Sequence, residues 1–179
     1  MDKIVQIRQA VYEDAEGIAF VHVNSWRSTY KGVVSADYLK GLNIETRKKN
    51  WQKNFHTINS CVVVAVDESG EIVGFASGGP EQTHHPKYYR TGEVYAIYLL
   101  ESFQRKGIGK QLIKAILDHL DDLGLEQLLI WALEDNSYRL FYEQIGGSVI
   151  ERTTIEMDRK RYTEIGYGWD SIKELRSQL

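Results

Sequence analysis

Gln104-Arg105-Lys106-Gly107-Ile108-Gly109 stands between a β-like run, Glu93 to Leu100, and an amphipathic helical run, Ile108 to Leu123. Strand, glycine loop and helix in that order predict a cradle for a diphosphate. Glycines at 107 and 109 let the backbone approach an anion with no Cβ in the way. The helix that follows aims its unpaired N–H groups and the positive end of its dipole at the same spot. Arg105, Lys106 and Lys110 add positive charge. A nest of amides backed by three cations suits a diphosphate better than a single carboxylate.

Two better-known phosphate loops fail against the same letters. A Walker A loop needs glycine where Gln104 stands and serine or threonine where Gln111 stands. A dinucleotide fingerprint needs a small residue in place of Leu112 and a position near the start of a βαβ unit, whereas this loop lies past mid-chain. What remains is the pattern Gln/Arg-x-x-Gly-x-Gly/Ala.

Outward from the loop, hydrophobic periodicity assigns the elements. Lys3 to Arg8 is predicted as a strand, Tyr12 to Trp26 as a helix with Ala15, Ile18, Ala19 and His22 on one side, and Glu45 to Phe55 as a second helix. Val62 to Val66 and Glu71 to Ser77 form a hairpin about Asp67-Glu68-Ser69-Gly70, with Gly70 supplying a positive φ. After the long helix, Gly124 is its C-terminal stop and Gln127 to Leu133 the next strand. Asn136 or Ser137 caps a short helix carrying Tyr138, Phe141, Tyr142 and Ile145 on one face, which Gly146-Gly147 ends. Ser148 to Asp158 and Tyr162 to Trp169 close the sheet. The expected fold is α+β, one domain over residues 1–179, with a central mixed, mostly antiparallel sheet flanked by helices.

Composition bounds the function. The 179 residues, 42% hydrophobic and 26% charged, suffice for a real core. No apolar run approaches the ~20 residues of a membrane helix. The start Met1-Asp2-Lys3-Ile4 lacks a secretion signal, so a cytoplasmic protein is expected. A net charge of −3 with dispersed basic residues argues against a nucleic-acid partner. The single cysteine, Cys61, opens an apolar run and forms no intramolecular disulfide. His84 and His85 are adjacent and point opposite ways in an extended loop; with no His-x-x-x-His helix, no metal is expected.

The glycine loop resembles the acetyl-CoA signature of the GNAT superfamily of N-acetyltransferases. Two further segments, Ile97-Tyr98-Leu99-Leu100-Glu101-Ser102-Phe103 and Asn136-x-x-x-x-Phe141-Tyr142-Glu143-x-x-Gly146, are similar to family motifs and fall in the family's order. The resemblance implies acetyl-CoA as cosubstrate. Its diphosphate would lie on Gln104, Arg105, Lys106, Gly107, Ile108, Gly109 and Lys110, and its pantetheine arm along the backbone of Ile97, Tyr98 and Leu99. Glu101 replaces a family proline before the loop, a departure that need not affect contacts made by backbone amides.

Acetyl transfer from a thioester to an amine requires a neutral amine, a polarised carbonyl and a protonated leaving thiolate. The resemblance implies Glu93 as general base acting through water, the N–H of Tyr98 or Leu99 as the polarising donor, and Tyr142 as proton donor to sulfur. Asn136 caps its helix, contacts the cofactor, or both. Arg139 either reaches the CoA phosphates or is a solvated helix residue. The segment Asn24 to Tyr30, read as the first inter-helix loop, and the loop Gln82 to Tyr89 would line the acceptor pocket through Trp26, Tyr30, His84 and Tyr88. The expected function is acetylation of a primary amine by direct transfer, whether the amine sits on a small molecule, a peptide N-terminus or a lysine; a homodimer is compatible with it. Two alternatives are a non-catalytic acyl-CoA-binding module, which would need the loop but neither Glu93 nor Tyr142, and a nucleotide-phosphate binder, which the failed loop patterns disfavour.

Overall fold

Cys61 to Val66 is apolar at every position, as a strand covered on both faces must be. The computed structural model, which describes residues 5–179, places this run in β2 (Cys61–Asp67), paired antiparallel with β1 (Val5–Gln9) and β3 (Ile72–Pro80). Lys3 and Ile4 of the first expected strand lie outside the described residues. At the hairpin, Asp67 Oδ1 accepts hydrogen bonds from Ser69 N (2.9 Å) and Glu71 N (3.1 Å), and Gly70 adopts φ 87°.

β4 (Thr91–Leu99), β5 (Gln127–Leu133), β6 (Ser148–Met157) and β7 (Lys160–Trp169) complete one sheet in the order β1-β2-β3-β4-β5-β7-β6. Among the described strands, only β4 and β5 run parallel. Their connection is α4 (Ile108–Asp122), whose apolar stripe Ile108, Leu112, Ile113, Ile116, Leu117 and Leu120 packs with Val63, Ala65 and Val94 against one face. On the other face, α1 (Ala15–Thr29) and α3 (Ile44–Asn54) bury Ile18, Ala19, Val21 and Trp51 against Val62, Val64 and Phe75. A third cluster joins Tyr30, Val34 and Leu39 to Leu133 and Tyr162, and includes residues of α2 (Ala36–Gly41).

The expected architecture is found, with three local corrections. The first helix starts at Ala15, not Tyr12, because the Asp14 carboxylate takes Arg8 (2.6 Å) and the Val11 amide (2.8 Å) and holds Tyr12–Asp14 in a separate 3₁₀ turn. That helix runs on to Thr29, so Asn24 to Thr29 is helix rather than loop. Two helices were not expected: α2, capped by Ser35, and, after α5 (Leu140–Gln144), α6 (Ile172–Gln178), capped by Ser171, whose Oγ accepts the Glu174 amide. Among the described residues, no helix is long and apolar enough to cross a membrane.

Candidate active site

β4 and β5 pair only from Thr91 to Val94 against Gln127 to Ile130. Beyond that point β5 keeps β7 on its other edge, from Leu128 with Trp169 to Leu133 with Glu164, and β4 keeps β3 through Ile97, Tyr98 and Leu99, but β4 and β5 no longer pair with each other. The strands therefore splay, and backbone groups of β4 on the β5 side face a gap. Such unpaired N–H and C=O groups are a template for an extended ligand.

The register slips where Ser77 pairs with Ala96 but Gly78 pairs with Val94, leaving Tyr95 as an extra residue. A side chain on a strand changes face at each step, so Glu93 and Tyr98, five apart, would face opposite ways. One bulged residue restores them to a common face. Accordingly Val94 and Ile97 both pack toward α4, and Ala96 and Tyr98 toward α1 and α3. Gly78 and Gly79 make the bulge feasible: a Cβ on Gly79 would lie 2.6 Å from the Tyr95 hydroxyl, and one on Gly78 2.7 Å from the Glu93 carbonyl.

Glu93 is half-buried and accepts the Gln82 amide at 3.3 Å. Burial pushes its carboxyl up to about 7, with the charges of Glu81 and Glu164 adding to the rise against the Gln82 bond. Glu81 is itself buried, its carboxylate taking the Thr83 (2.8 Å) and His84 (2.9 Å) amides. Tyr95 donates to the Pro80 carbonyl (2.5 Å), and burial, then the nearby Glu93 charge, pushes its phenol up to about 12.

At the far end of β4 an aromatic group surrounds Tyr98. Trp26 Nε1 donates to its hydroxyl (2.9 Å), and His22 stacks on its ring with centroids 5.1 Å apart. Trp51 Nε1 donates to His22 Nδ1 (3.2 Å), so the His22 proton sits on Nε2; burial, helped by Arg47, drops its pKa to about 3. Tyr30 lies 4.5 Å from Trp26, centroid to centroid, and accepts a hydrogen bond from Asn136 Nδ2 (3.3 Å). Asn136 Oδ1 also accepts the Tyr138 amide (2.9 Å), so this residue caps its turn and ties it to α1. Tyr142 is buried beside Tyr167, and burial, with the neighbouring phenols Tyr98 and Tyr167, holds its hydroxyl firmly protonated.

The glycine loop closes on itself: Gln104 Nε2 donates to the Leu99 carbonyl (3.1 Å). Arg105 and Gly107 take φ of 59° and 78°, and Gly107 caps α4 with no side chain bonded across the first amides. Among the described residues, nothing lies within 4 Å of where a Gly107 Cβ would stand; at Gly109 the nearest atom is Phe141 Cζ at 3.6 Å, which brings α5 to the helix start. Arg105, Lys106 and Lys110 are exposed around this end, with Lys106 Nζ 5.6 Å from the Phe103 ring centroid.

The structure thus brings together Trp26, Tyr30, Tyr98, Asn136 and Tyr142, and holds Ile97 to Leu99 and Gln104 to Lys110 in one continuous edge and turn. Three expected contributors, Arg139, His84 and Tyr88, have partners of their own or face solvent. Arg139 donates from Nη1 to Glu143 (2.9 Å) and Tyr167 (2.9 Å) and from Nε to the Glu134 carbonyl (2.8 Å). His84 is exposed, and the Tyr88 hydroxyl and Lys87 are bonded to Glu151 of β6. Sequence reading missed Glu81, Glu164 and His22 as neighbours of the site. For the bulge that aligns Glu93 with Tyr98, the available signal was Gly78-Gly79 inside an otherwise regular strand.

Comparison with known proteins agrees with this geometry. Residues 22–146 match the model of the acetyltransferase (GNAT) family. The uncharacterized N-acetyltransferase YuaI of Bacillus subtilis (strain 168) is 36% identical over 98% of this chain and 99% of its own. A mycothiol acetyltransferase of Paenarthrobacter aurescens (strain TC1) is 33% identical over 47% of this chain and 26% of its own. Among solved structures, the PaiA N-acetyltransferase of Thermoplasma acidophilum, in complex with coenzyme A, superposes with a TM-score of 0.70 at 20% identity, covering 90% of this chain and 98% of its own. YncA from Salmonella typhimurium, with its cofactor acetyl-CoA, gives a TM-score of 0.70 at 16% identity over 93% of this chain and 94% of its own. The chain belongs to the GNAT family and is an acetyltransferase.

Proposed function

We propose that this enzyme transfers the acetyl group of acetyl-CoA directly to a primary amine. The observation that carries the reading is the splay of β4 from β5 leading straight into a side-chain-free helix start at Gly107. An extended arm fits beside Ile97 to Leu99, and a diphosphate fits the open space at Gly107 and the first amides of α4. Coenzymes bound in two solved relatives of this fold support the choice.

When bound, acetyl-CoA supplies an acetyl group activated as a thioester. The N–H of Tyr98 or Leu99 donates toward the carbonyl oxygen. Glu93, poised at about 7, takes a proton from the incoming ammonium through water, which is effective because a base works best with a pKa near the working pH. Tyr142 holds a proton on its phenol oxygen for the departing sulfur. The clustering of Glu81 and Glu164 near Glu93 favours a cationic acceptor over an anionic one. The deciding experiment is an amine panel scored for thiol release that needs both acetyl-CoA and amine. Release with at least one primary amine is expected; acetyl-CoA binding with no amine-dependent release would leave an acyl-CoA-binding module.

A further inference from the structure

On the α1 and α3 side of the sheet, the bulge at Tyr95 opens onto a cleft of about 230 Å³. None of the four residues expected to wall the acceptor pocket lines it. Its walls include the aromatic rings of Trp51 and Tyr95, the small apolar side chains of Val62 and Ala96, and the neutral polar groups of Ser77 and Gln82. One wall, Ala96, directly precedes the strand segment assigned to the thioester. Another, Gln82, gives its amide to Glu93.

Among the described residues, no formally charged side chain lines this cleft. A second ammonium or a carboxylate carried into it would lose hydration with no ion partner, at a cost that neutral hydrogen-bonding and aromatic groups do not meet. The reacting ammonium, in contrast, has Glu93 as its partner, whose carboxylate accepts the amide of the wall residue Gln82. At about 230 Å³ the space falls below the roughly 300–1,000 Å³ of pockets for drug-sized ligands. Taken with the proposed function, on which it rests, the geometry points to a small primary amine with an uncharged aromatic or hydrogen-bonding body as acceptor, seated between Trp51 and Tyr95 with its nitrogen toward Glu93.

The test compares tyramine and 2-phenylethylamine with putrescine, β-alanine and a lysine-containing peptide, in the wild type and in two variants that fill the cleft, Ala96→Leu inside and Asn54→Trp on its exposed rim. Tyramine or 2-phenylethylamine should exceed the charged amines and the peptide in kcat/KM by about tenfold or more, and either variant should raise the KM for the aromatic amines about tenfold with the acetyl-CoA dissociation constant unchanged. Equal use of charged amines, preference for the peptide, or unchanged KM in both folded variants would overturn the assignment. Ligand-observed NMR of tyramine without acetyl-CoA separates the two levels. Saturation transfer that Asn54→Trp abolishes supports the cleft even if no amine releases thiol, an outcome that would count against the proposed function alone; absence of transfer to the wild type counts against the cleft.

Discussion

Glu93 carries two opposed demands: burial and neighbouring carboxylates keep its proton on, yet the proposed role needs that proton gone. A value of about 7 resolves them by letting the group titrate in the working range. The rate of wild-type enzyme should therefore fall as pH drops below 7. An alkyl ammonium has a pKa of roughly 10.4, so free amine is scarce at neutral pH and abundant only near pH 10. Glu93→Gln should depress turnover most at about pH 6–7 and regain part of it at about pH 9–10. A pH–rate profile overlying that of wild type would remove Glu93 from the chemistry. Tyr142 is the second residue under test. Tyr142→Phe keeps the ring against Tyr167 while removing the proton, so turnover should drop by roughly 10- to 1,000-fold with little change in thermal stability or acetyl-CoA affinity. Wild-type turnover where chemistry limits the rate would reduce it to a packing residue.

Among the elements, the turn from β4 into α4 concentrates the binding argument. Gly107→Glu would put a side chain and a negative charge where the diphosphate is proposed, at a φ of 78° that disfavours any L side chain by about 1–2 kcal/mol. Calorimetry should find acetyl-CoA binding lost while circular dichroism shows the fold retained; an unchanged dissociation constant in folded protein would contradict the cradle. This turn was legible in the sequence because glycine spacing, flanking charge and helical periodicity all act locally. So were both faces of β2 and the stripe of α4. The capping residues Ser171 and Glu174 carried the signal for α6, since serine followed three residues on by glutamate marks a helix start. What stayed hidden depends on contacts remote in sequence. The bulge at Tyr95 is a property of two strands together, and Arg139 reads as free until Tyr167, 28 residues on, is seen to hold it. Glu164 in β7 reads as a solvated strand residue until the sheet order, which sets β7 beside β5, is seen to leave its charge felt at Glu93.

Across the whole molecule, the site costs stability in opposite directions of pH. Glu93 is raised from 4.5 to about 7, so its contribution to folding is fully present below pH 4.5 and lost as pH rises through 7. His22 is lowered from 6.5 to about 3, so its contribution is present above pH 6.5 and lost as pH falls toward 3. From pH 5 to pH 8 the melting temperature of the wild type should fall by a few degrees relative to Glu93→Gln, at roughly 2–4 °C per kcal/mol for a chain of this size. Parallel melting curves would refute the buried-carboxyl account. In the proposed reaction one sheet serves both substrates, the β4 edge and the α4 start holding the coenzyme and the bulge with its cleft holding the acceptor. Direct transfer across that edge is the central claim, and acetyl-CoA labelled with carbon-13 in the acetyl group tests it most directly. With tyramine as acceptor, mass spectrometry should find the label on the amine product and none on the protein. Label retained in acetyl-CoA with every amine, or accumulating on the chain itself, would contradict the account.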